Sequence, residues 1–107
     1  MSWSLHLDTP DGEMRTPVDG HTYNLNPMWR LAGVFEGHPI DGLSGERAAT
    51  IGIRASKGLL RAVTKPAEFK ALNPSNGWGD YEGFVQVLTR LAIDCAEEPE
   101  AIAHVSG

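Results

Sequence analysis

The sequence predicts an α+β fold: a small antiparallel sheet, its N-terminal strand or hairpin paired with a C-terminal strand, packed by three or four helices. Three observations predict it. Trp3, Leu5 and Leu7 alternate with Ser4, His6 and Asp8, the period of a half-buried strand. Tyr81, Phe84, Val85, Leu88, Leu91, Ala92 and Cys95 recur at helical spacing, over roughly four turns. Ala101 to Ser106 then reads as a last strand, most economically paired with the first while the helices cover one face. With 107 residues and a hydrophobic fraction of 41%, the chain fits one domain, 1–107, whose core needs neither disulfide nor metal.

The elements come in order along the chain. Thr9-Pro10-Asp11-Gly12 is a turn, after which Met14, Thr16 and Val18 alternate again; the pair reads as a hairpin, with Pro17 confining the second strand to an edge. Leu25, Met28, Trp29 and Ala32 then fall at i, i+3, i+4 and i+7, a short helix with Asn24 or Asn26 as cap, Pro27 in its first turn and Gly33 as its stop. Residues 33 to 45, rich in glycine and containing Pro39, read as the one linker-like stretch. Ser44 is the expected cap of a longer helix from about Gly45 to Lys65, on which Ala48, Ile51, Gly52, Ala55, Leu59, Ala62 and Val63 line one face. Pro66 starts a short turn through Phe69 and Leu72. Asn73 to Asp80 form a loop in which Gly77 and Gly79 can take positive φ or let another backbone approach the Trp78 indole. Asp80 caps the last helix, which runs to about Ala96 before Pro99 prevents continuation.

Composition narrows the function classes. A single cysteine, Cys95, forms no internal disulfide; together with the lack of a cleavable leader it points to a reducing cytoplasm, the host's if the chain is phage-encoded. No apolar run approaches membrane-spanning length. The net charge of -5 argues against nucleic acid, although six of the nine basic residues fall within the 24 positions from Arg47 to Lys70, opposed there only by Glu68. No aromatic lies among those basic positions from Arg47 to Lys65 to stack on a base.

Taken together, Thr22, Asn24, Pro27, Met28, Trp29 and Ala32, then Asn73 to Gly83, then Cys95, Pro99, Ala101, Val105 and Ser106 resemble a family of small proteins of actinobacteria and their phages. That family carries an Asn-Pro-x-Asn-Gly-Trp-Gly-x-Tyr-Glu loop. The resemblance covers most of the chain, is specific in the loop, and implies a shared α+β fold and a phage or prophage-type origin. It supplies no activity to carry onto these residues.

Two surfaces are candidates for contact with a host or phage protein. The first is the basic stripe of Arg47, Arg54, Lys57, Arg61 and Lys65, which suits an acidic partner or is simply solvated. The second is Trp78, whose indole either packs against the last helix, so that its removal costs about 3 to 5 kcal/mol, or serves as an exposed anchor. Asn76, Trp78, Asp80 and Tyr81 would line a small-ligand site at the same loop, and Asp80, Tyr81, Glu82 and His21 are a set that could converge there for catalysis. No nucleophile or phosphate-cradling motif completes such a site, so the expectation is a non-enzymatic protein without cofactor. His6, His21, His38 and His104 lack metal-ligand spacing, although His6 and His104 can meet across paired strands. Cys95 reads as a small buried residue. Ile53 and Leu60, one heptad apart, flank the apolar face and either cover the Phe69 segment or meet another subunit.

Overall fold

A computed structural model describes residues 1–107. Its sheet has three antiparallel strands, β1 (Ser2–Asp8), β2 (Met14–Thr22) and β3 (Ile102–Ser106), in the order β2-β1-β3. The chain's two ends are thus paired: Leu5 faces Val105, and His6 faces His104. Trp3, Leu5 and Leu7 are buried, as their alternation requires. β2 is an edge strand, which tolerates Pro17.

The expected alternation of β2 does not hold along its length. Two residues of β1 oppose three of β2 both between Trp3 and Leu5 and between Leu5 and Leu7. Each extra residue reverses the faces of the residues beyond it, so Val18 and His21 are buried while Met14 and Thr16 are exposed.

Five helices accompany this sheet. A 3-10 turn, Tyr23–Leu25, capped by Thr22 rather than by either asparagine, leads into α1 (Asn26–Ala32), which Gly33 ends at φ 80. The stretch 33 to 45 is no linker. It holds α2 (Pro39–Leu43) and buries Val34, Phe35 and Leu43, giving one helix more than the expected three or four. Next come α3 (Ala48–Thr64), α4 (Pro66–Lys70) and α5 (Tyr81–Glu97).

Ser44 does not cap α3. Its Oγ accepts from the Val105 N–H at 3.1 Å, and after a turn at Gly45, at φ 87, Glu46 and Arg47 lie beside β3, Arg47 bridging to Ile102, before the helix begins. Gly45 N donates to Ala103 O (2.8 Å), Ala103 N to Glu46 O (2.9 Å) and Ala48 N to Ala101 O (2.8 Å). The outer edge of β3, otherwise an open row of donors and acceptors, is closed by this segment.

Aromatic rings form the spine of the core. Trp3 meets Trp29 edge-on at 5.4 Å, Trp29 meets Phe84 at 5.2 Å, and Phe84 stacks on Phe69 at 5.7 Å. Such pairs are worth about 0.5–1.5 kcal/mol each beyond the area they bury. On α3 the buried set is Ala48, Ile51, Ala55, Gly58 and Ala62; Val63, expected inside, is 52% exposed. No helix is long and apolar enough to cross a membrane.

Candidate functional site at the Trp78 loop

The loop between α4 and α5 is held from both ends. Asn73 Oδ1 accepts from the Tyr81 N–H at 2.9 Å, and Asp80 Oδ1 accepts from the Gly83 N–H at 2.7 Å, capping α5. Between them Asn76 Oδ1 accepts from Trp78 N at 3.0 Å, an Asx turn. Gly79, at φ 95, lies so close to the 3-10 turn that a Cβ there would sit 2.9 Å from Leu25 Cγ and 3.0 Å from Thr22 Cγ2. Its lack of a side chain therefore serves the approach of Leu25 and Thr22, not an approach to the indole.

Trp78 itself is 68% exposed. Of the two readings of this residue, packing of the indole against the last helix does not hold; the rings that meet Phe84 are those of Trp29 and Phe69. What the loop secures is an unburied ring on an anchored backbone.

The exposed ring borders a cleft of about 470 Å³, lined also by Ser2, Thr22, Asn24 and Asn76. Apart from the chain's own amino terminus, its polar groups are neutral hydroxyls and amides. Of the proposed ligand set, Asn76 and Trp78 meet here. Asp80 lines an adjoining hollow of about 300 Å³ with His21, and Tyr81 is elsewhere: its hydroxyl donates to Ala62 O at 2.8 Å, tying α5 to α3, while Lys70 Nζ lies 5.4 Å from its ring centroid. Ser2 carried no signal in the sequence, since only the strand register brings it to the loop.

The four residues named for catalysis do not assemble. His21 and Asp80 share the smaller hollow, but Tyr81 and Glu82 do not line it. His21 Nε2 accepts from Trp29 Nε1 at 2.9 Å, and burial lowers the imidazole pKa to about 4. The ring is a neutral acceptor in the core.

The basic stripe divides. Arg54 donates to Val34 O (3.1 Å) and Gly42 O (3.2 Å) and pairs with Glu46 at 3.3 Å. Arg61 donates to Leu31 O at 2.8 Å. Arg47 pairs with Glu100 at 3.0 Å, and Lys65 with Glu68 at 3.9 Å. Lys57 alone in the stripe has neither an ion pair nor a hydrogen bond from its side chain. Two of the five cations thus hold the carbonyls around α1 and α2 in place, where helix ends leave acceptors unpaired.

Ile53 and Leu60 are 59% and 64% exposed and so do not cover the buried Phe69. His6 and His104 are cross-strand partners; His6 Nδ1 lies 3.0 Å from Thr16 Oγ1, and His104 Nε2 lies 2.8 Å from Asp8. Cys95 is buried, its thiol pushed up to about 12 by burial and then by neighbouring Asp94. No family model, curated protein or solved structure matches this chain.

Proposed function

We propose that this chain acts without catalysis, as a phage or prophage-type accessory protein that binds a host or phage protein through the Trp78 loop. The observation that carries the reading is the 68% exposure of Trp78 on a loop fixed by Asn73, Asn76, Gly79 and Asp80. Tryptophan is enriched among the few residues that carry most of an interface's binding energy, and a ring on an already ordered backbone buries a large area while losing little conformational freedom. Arg54 and Arg61, fastened to backbone carbonyls, are poorly placed to serve as the main contact; Lys57 and Lys65 remain for steering an acidic partner.

The test is affinity capture from an actinobacterial lysate, with and without phage infection, comparing the wild-type chain with Trp78→Ala. One enriched protein, lost with the variant while its circular dichroism and unfolding midpoint stay unchanged, is the expected result. Identical captures with both chains would overturn the reading. A second reading, a small neutral ligand stacked on Trp78, is favoured by the hydroxyl and amide lining of the adjacent cleft. Quenching or a blue shift of Trp78 emission by such a ligand, absent in Trp78→Ala, distinguishes it.

A further inference from the structure

An apolar strip on the outer face of α3 has no counterpart within the fold. Ala49, Ile53, Ser56, Leu60 and Val63 recur at alternating spacings of four and three, the seam by which one helix receives another. This is a different set from the one α3 buries, and Ile53, Leu60 and Val63 are each more than half exposed. On α5, Val85, Thr89, Ala92 and Ala96 follow the same spacings alongside. The two rows enclose a groove of two contiguous hollows, about 520 and 420 Å³, which share Ser56. Small residues along it, Gly52, Ser56, Ala92 and Ala96, leave room for a helix backbone to approach closely. From position 49 to 63 the seam runs about 21 Å, enough for roughly four turns of a bound helix.

Charge selects the occupant. Lys57 is the one charged side chain lining either hollow, and no carboxylate lies within ion-pair distance of it, whereas Arg47, Arg54 and Lys65 on the same stretch each have one. We propose that the groove between α3 and α5 receives an amphipathic α-helix of a partner protein, whose apolar stripe carries a carboxylate that pairs with Lys57. A second copy of this chain fits worse. The groove offers no carboxylate, and an antiparallel copy centred where Ile53 opposes Leu60 brings the two Lys57 ammonium groups together.

The groove and the Trp78 cleft share no lining residue; Lys57 alone enters both readings, as a remote steering charge in one and a direct contact in the other. The probes are two dye-labelled helical peptides of about five turns, with leucines at heptad positions and, at the centre of that stripe, Glu in one and Lys in the other. Binding to the full-length chain is read by fluorescence anisotropy. The Glu peptide is expected to bind at least about tenfold more tightly than the Lys peptide. Lys57→Glu inverts that preference, Leu60→Asp at its exposed position removes binding of both, and Trp78→Ala changes neither. Sedimentation equilibrium of the free chain is expected to show one protomer. Equal affinities, no binding of either peptide, or a dimer dispersed by Leu60→Asp would each overturn the proposal, the last by giving the groove to a second copy.

Discussion

His21 couples the core to pH. Its ring is 9% exposed, stands edge-on to Trp29 at 5.5 Å and accepts that indole's N–H, a role open only to the neutral imidazole. Burial holds its pKa at about 4 in the folded chain, against 6.5 when unperturbed. Between those values the unfolded chain takes up a proton that the folded chain refuses, so stability falls as pH drops through the window. The full difference is worth about 3 kcal/mol. Denaturant titrations from pH 7 to 4 should show this loss, and His21→Gln, which keeps an acceptor but cannot titrate, should flatten it; an unaltered slope in the variant would assign the loss to carboxylates instead. Cys95 gives a second residue-scale prediction. With its thiol buried and raised to about 12, it should resist iodoacetamide in the native chain at pH 8 and react at the rate of a free thiol once denaturant unfolds the protein.

The packing of α1 on α3 depends on the absence of a side chain. A Cβ at Gly58 would lie 2.8 Å from Ala32 O and 3.0 Å from Ala32 Cβ. In an open helix Gly→Ala stabilises by about 1 kcal/mol. Here Gly58→Ala should instead destabilise, by about 1–3 kcal/mol as the helices are forced apart, measurable by urea denaturation. α2 depends on Arg54, whose guanidinium bridges Val34 O, Gly42 O and Glu46. Arg54→Ala should cost about 1–3 kcal/mol and speed hydrogen exchange of residues 34 to 45 more than that of α5. Element length and tertiary pairing decide which elements can be read from the sequence. α5 and β1 have enough residues for their period to show. α2 has five, too few to display a helical repeat, and its glycine and proline neighbours look like loop. The start of α3 is misplaced by its sequence because Ser44 is chemically a good cap, and only the pairing of 45–48 with β3 diverts its hydroxyl to Val105. The reversed face of Met14 and Thr16 comes from bulges that exist only once β2 lies against β1.

At the scale of the whole molecule, the sheet, its end-to-end pairing and its helical cover were legible, since alternation and helical spacing are properties of the chain itself. The candidate site was legible only in part. The Asn73 to Asp80 loop stands out by composition, but which of the three tryptophans lies outside the core depends on tertiary packing that no local pattern displays. Trp3 and Trp29 fill the interior with Phe35, Phe69 and Phe84, and Trp78 is left in solvent. Lys57 could not be told apart from its four neighbours in the stripe, because their partners, Glu100, Val34, Gly42, Glu46, Leu31 and Glu68, mostly come from distant sequence. If Trp78 is held at the surface for a partner, the fold should not need it. Equilibrium denaturation of Trp78→Ala beside wild type tests this most directly: the expected change is within about 0.5 kcal/mol, as for other surface positions, whereas a loss of about 3 kcal/mol or more would mean the indole belongs to the core and contradict its role as a contact.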